Sequence, residues 1–142
     1  MPASPITTPS GYAPAFAIGY ADPAGGLSIV DSGAPLPVQN KYESAPAPLS
    51  GTASGTQTVG PFTAVSSRPI VLTLEGTWQG TVQVKRSVDG GATLHPLTIA
   101  GQAWAVFTGN ACEPVWSEEE DGAQFYLAFS ALTGSAGYRL AQ

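Results

Sequence analysis

Nine of the thirteen prolines, at positions 2, 5, 9, 14, 23, 35, 37, 46 and 48, fall within the first 50 residues. A proline has no N–H to give a ladder and fixes its own φ, so this spacing excludes helices of any length and permits only short or edge strands. Residues 1–60 therefore read as an extended arm, punctuated by "ADPAGG", "DSGAPLPV" and "ESAPAPLSGTASGT". Within it, "AFAIGYA" (15–21) and "GLSIV" (26–30) are apolar enough to pair as short strands or to lie across a neighbour. Phe16, Ile18, Tyr20, Leu27 and Ile29 are then its partner-binding residues, pairing with an edge strand or filling shallow pockets. A disordered tail is the other state that this Pro-Ala-Gly-Ser composition suits.

From residue 61 the pattern becomes that of antiparallel strands. "PIVLTLEG" sets Ile70, Leu72 and Leu74 on one face, "GTVQVKRSV" sets Val82 and Val84 opposite Gln83 and Lys85, and "QFYLAF" groups Phe125, Leu127 and Phe129. Further strands are expected at 62–67, 93–99, 102–108 and 136–141, with a short one at 113–116. The turn signals between them are "EGTWQG", "IAGQ", "GNACEP" and "LTGSAG". No segment repeats at 3.6 residues. The expected fold is all-β: residues 61–142 form an antiparallel β-sandwich, jelly-roll-like or a small barrel, behind the N-terminal arm.

Charge narrows the partners. Five Lys and Arg against ten Asp and Glu give a net charge of −5, and so few cations cannot neutralise a row of phosphates. Nucleic acid is therefore not an expected partner. With only 11% of residues charged and 43% apolar, much of the surface is weakly polar, which suits a protein packed against its own copies or a larger body. The opening "MPASPITTPSGYAPAF" has no basic stretch or apolar run of signal-peptide length, and nothing approaches the ~20 apolar residues of a membrane helix. With Cys112 the only cysteine, no internal disulfide can form. Synthesis and assembly in a cytoplasm, without a membrane partner, are expected.

Few stretches carry chemistry. Contiguous carboxylates in "SEEED" (117–121) lack the alternating ligands and shaped turn of a calcium loop, so a solvated acidic loop is expected, one whose glutamates can become glutamine with little effect on folding. His95 is the only histidine, no Gly-x-Ser-x-Gly elbow is present, and no glycine-rich phosphate loop opens a helix. No catalytic residue, metal or cofactor is expected. Trp78, Trp104 and Trp116 can serve as platforms for sugar rings, but a domain of this size needs large side chains in its core or interfaces, and that use is favoured.

"SVDGGATL" (87–94) resembles the Asp-box, the Ser-x-Asp-x-Gly-x-Thr-Trp turn of sialidases and other glycan-handling propellers. Ser87, Asp89, Gly91 and Thr93 match, and Leu94 stands in the aromatic place. A propeller needs several blades of roughly 40–50 residues each and does not fit in this chain. The octapeptide is expected to act as a structural turn. Asp89 would accept backbone N–H groups two and three residues on, while Gly90 and Gly91 take positive φ.

Taken together, "GTWQGTVQVKRSVDGGATLHPL" (76–97), "EPVWSEEEDGAQFYL" (113–127) and "LTGSAGYRLAQ" (132–142) resemble small virion proteins of tailed bacteriophages, and "GAPLPV" (33–38) is similar to linkers in phage structural proteins. The resemblance implies a non-enzymatic virion component, a capsid decoration or head or tail accessory protein, that anchors by its arm and displays its β domain. It implies major capsid or tail proteins as partners, a homo-oligomer with a trimer favoured, and location in the virion. The alternative is a carbohydrate-binding module of a tail fibre or adhesin, facing a host surface glycan; exposed tryptophans gathered in one groove would favour it.

Overall fold

A computed structural model describes residues 18–21, 24–33, 35–36, 38 and 43–142, which divide into two units, residues 1–42 and 43–142. In the first unit, β1 (Gly19–Ala21) pairs antiparallel with β2 (Leu27–Ile29), placing Gly19 opposite Ile29 and Ala21 opposite Leu27. The Val30 N–H donates to the Ile18 carbonyl and extends the ladder. These are the two segments expected to pair. Ile18, Leu27 and Ile29 remain 66%, 79% and 57% exposed, and Tyr20 is half-buried. Phe16 lies outside the described residues.

The second unit is all-β and antiparallel, and no helix occurs among the described residues. Its strands are β3 (Leu49–Ala53), β4 (Gln57–Thr63), β5 (Arg68–Ser87), β6 (His95–Pro96), β7 (Thr98–Ile99), β8 (Gln102–Ala103), β9 (Val106–Phe107), β10 (Ala111–Glu118) and β11 (Gln124–Ala141). The long strands β5 and β11 pair along most of their length. The first half of β5 and the second half of β11 are flanked by β10 and β3. Their other halves are flanked by β6 and β9 on one side and β4 on the other.

These two halves face each other as the layers of a sandwich. Ile70, Leu72, Leu74 and Leu140 from one layer and Val82, Val84, Phe125, Leu127 and Phe129 from the other enter one buried cluster. Nine residues of straight strand would span ~30 Å, yet the rings of Phe129 and Tyr138, both on β11, lie 5.5 Å apart. The strand must fold over between them. The large buried side chains change parity across the fold-over: Phe125, Leu127 and Phe129 stand on odd positions before it, Leu132 and Leu140 on even positions after it. The register shift between Ser130 and Thr133 supplies the change.

"EGTWQG" and "LTGSAG" do not end strands. They pair with each other, Gly134 opposite Trp78 and Ala136 opposite Gly76, and form the bend that carries β5 and β11 from one layer to the other. Gly134 has φ +81°, and a Cβ there would run into the Thr77 carbonyl, so glycine serves close approach of two chains rather than a reversal. The expected arm also ends too late. β3 and β4 pair with β11, and Ala53 and Phe62 are buried in the core, so the sandwich begins near residue 43, not 61. Prolines 46 and 48 precede β3, an edge strand of serine, glycine and threonine whose weak apolar signal resembles the arm.

The remaining differences are smaller. The strand expected at 62–67 occupies 57–63, and those at 93–99 and 102–108 break into the two-residue pieces β6 to β9, among which Leu97 and Ala105 are buried. At the C-terminus the Gln142 amide donates to the Val65 and Arg68 carbonyls and accepts the Val65 N–H, tying the end of the chain to the entry of β5.

Candidate functional site

At the end of β5 the 87–94 loop forms around a serine. Ser87 is fully buried, and its Oγ donates to Asp89 Oδ1 (2.7 Å) while accepting the Gly91 N–H (2.9 Å). Asp89 Oδ1 in turn accepts the Thr93 N–H (2.9 Å), a reach of four residues where two or three were expected. The wider reach arises because Ser87, not Asp89, holds the middle of the loop. Gly91 has φ +92°, and a Cβ there would strike the Tyr126 hydroxyl. The Thr93 N–H, followed by Ser87, lowers the Asp89 carboxyl from 3.8 to about 2. The Ser87 and Asp89 side chains hold this turn by accepting its own backbone N–H groups. Ser87→Ala should cost about 1–2 kcal/mol in chemical denaturation, because it leaves the Gly91 N–H without its partner. Asp89→Ala should lower the melting temperature by less, since the lost group is exposed.

The acidic loop is not merely solvated. Glu118, the last residue of β10, is 3% exposed and takes both ends of the Arg86 guanidinium, Nε at 2.6 Å and a terminal nitrogen at 2.9 Å. Arg86 also reaches the exposed Glu120 at 2.7 Å. Because Arg86 stands on the second half of β5 while β10 pairs with its first half, this pair clamps the two layers together at one end. Burial pushes the Glu118 carboxyl up, but the Arg86 bonds and the Glu120 and Glu119 N–H groups outweigh it and hold it below its ordinary 4.5. A solvated loop was expected; Glu118 departs from that, buried and held in the fork of Arg86.

These lowered carboxyls give the domain an acid limit. Both are ionised and bonded in the fold, so their stabilisation is complete above their ordinary values of 4.5 and 3.8 and is lost as protons bind through the lower folded values. Melting temperature should be level from pH 7 to about 5 and fall between roughly pH 4.5 and 2, measured by circular dichroism at constant ionic strength.

The three tryptophans separate. Trp78, at the interlayer bend, is half-buried and donates its indole N–H to Asn110 Oδ1 (2.8 Å); Asn110 donates onward to the Gly76 carbonyl. Trp116 on β10 also packs against the core. Trp104 is 41% exposed. It follows the β7–β8 hairpin, where Thr98 pairs with Ala103 and Ile99 with Gln102. Its backbone N–H donates to the Leu97 carbonyl and its indole N–H to the Val115 carbonyl (2.7 Å), which lays the hairpin against β10. Trp104 and Trp116 thereby line one groove of about 300 Å³ with Pro69, Ile99 and Pro114. No periodicity in the sequence pairs these two tryptophans, because the contact is made by an excursion between strands.

Of the other single residues, His95 is exposed on β6 opposite Arg86, and Cys112 is exposed on β10 with its Sγ 3.7 Å from the Thr73 hydroxyl. No group of three or more metal-ligating side chains occurs among the described residues. Searched against known proteins, the chain matches no family model, no curated protein and no solved structure.

Proposed function

We propose that the chain is a non-enzymatic structural component of a tailed-phage virion, a capsid decoration or head or tail accessory protein, in which residues 1–42 anchor and residues 43–142 are displayed. The observation that carries this reading is the apolar hairpin of the first unit. A two-stranded hairpin is marginal in water by itself, yet this one turns Ile18, Leu27 and Ile29 outward. Such side chains call for a partner surface, and the low charge of the chain suits a crowded protein lattice rather than nucleic acid. A homo-oligomer, with a trimer favoured, and assembly in the host cytoplasm belong to the same reading.

The test is co-sedimentation with virions from infected cells. Full-length Leu27→Asp and Ile29→Asp should be lost from particles while melting like the wild type, because neither residue belongs to the sandwich core. Particles that carry these variants at the wild-type level overturn the anchoring role. A chain lacking residues 1–42 should behave like the variants. One starting at 61 should aggregate, since it lacks β3 and most of β4 and leaves the β11 edge unpaired.

A further inference from the structure

We propose that the groove between Trp104 and Trp116 binds a neutral saccharide. The biological setting rests on reading residues 43–142 as the displayed domain, but the site itself is argued from its own geometry.

A pyranose offers a face of C–H groups carrying slight positive charge, and an indole face is the complementary surface, electron-rich and apolar. Trp104 is 41% exposed and lines the groove. Its indole N–H is held by the Val115 carbonyl and its backbone N–H by the Leu97 carbonyl, so the exposed part of the side chain is ring carbon fixed in orientation. Trp116 and the rings of Pro69 and Pro114 extend this apolar floor, and Ser117 supplies a hydroxyl at its edge. A floor so fixed loses little freedom when a ligand settles on it.

Size and charge select the ligand class. The groove of about 300 Å³ lies at the small end of ligand pockets, a size that suits a small ligand. No charged side chain lines it. Beyond Trp104 a second hollow of about 180 Å³ shares Pro114 and Val115 with the first and adds Glu113, while Glu119 stands beside Ser117. Those carboxylates repel acidic sugars, phosphates and anionic headgroups, and they accept hydrogen bonds from uncharged hydroxyls. Two linked hollows across one ring suit a short chain of sugar units.

The test uses the full-length protein and three neutral trisaccharides, built of glucose, galactose or N-acetylglucosamine, with tryptophan fluorescence and calorimetry as readouts. At least one should bind saturably in the millimolar range. Trp104→Ala should weaken it roughly tenfold, as expected for a lost stacking partner, and Trp104→Phe should keep most of the affinity. Should Trp104→Ala loosen the hairpin, Ile99→Ser probes the same floor without touching a hydrogen bond and should weaken binding severalfold. The proposal is overturned if none of the three binds, or if binding survives both Trp104→Ala and Ile99→Ser. It is also overturned if these variants change the oligomeric state instead, or if the groove takes the peptide Ser-Gly-Ala-Pro-Leu-Pro-Val and not the sugars. Sugar binding by a protein that never joins particles would remove the display reading and leave the site standing; loss of sugar binding alone would do the reverse.

Discussion

Arg86→Ala should lower the stability of the sandwich by about 2–4 kcal/mol, a fall in melting temperature of roughly 10–20 °C for a domain near 100 residues. Removing the guanidinium leaves Glu118, 3% exposed, ionised at the layer interface with only two backbone N–H groups for company. Breaking a fully buried pair costs more, but the Arg86 side chain is 25% exposed and water supplies part of the loss. Glu118→Gln should be milder, because it keeps the shape and leaves Arg86 its bond to Glu120. The response to pH separates this account from a loss of packing alone. Burial pushes the Glu118 carboxyl up, and without Arg86 it loses the largest influence that holds it down while the Glu120 and Glu119 N–H groups remain, so it moves up from its wild-type position. Protonation then removes less stabilisation, so Arg86→Ala should lose less stability than the wild type as the pH falls from about 5 to 2. Urea denaturation of both proteins across that range measures it, and parallel curves would dismiss the clamp.

Gly134→Ala should be at least as damaging, on the order of 3 kcal/mol or more. Two effects add at this position. A left-handed φ of +81° costs an alanine about 1–2 kcal/mol, and its Cβ would press on the Thr77 carbonyl, a backbone atom in the strand that must bend alongside. Gly101 separates them. It has φ +79° in the β7–β8 turn with open space around it, so Gly101→Ala should cost only ~1 kcal/mol. A difference of roughly 2 kcal/mol or more between the two, read from denaturant midpoints at a common slope, would show that close approach of β5 and β11 sets the bend. Equal losses would mean that backbone conformation alone matters.

The alternation of Ile70, Leu72 and Leu74, of Val82 and Val84, and of Phe125, Leu127 and Phe129 determined the all-β class and most of the core. A period of two is a local property, set by where successive Cβ atoms point, and it needs no knowledge of the partner strand. Prolines likewise marked the first unit, and its two short apolar segments do pair as expected. Glycine is less specific locally. Gly76 and Gly134 carry the same signal whether a chain reverses or merely lets a neighbour come close, and only the pairing of β5 with β11 decided for the bend. The edge strand β3 was hidden for a related reason: its serine, glycine and threonine are held by the β11 ladder rather than by their own apolar pattern. The charged and aromatic sites depended still more on the tertiary structure. Arg86 and Glu118 are 32 residues apart and Trp104 and Trp116 are 12 apart, and neither pair shares a strand. Composition supplied the residues, but a desolvated ion pair and a shared groove exist only once the folded layers have removed the water between them.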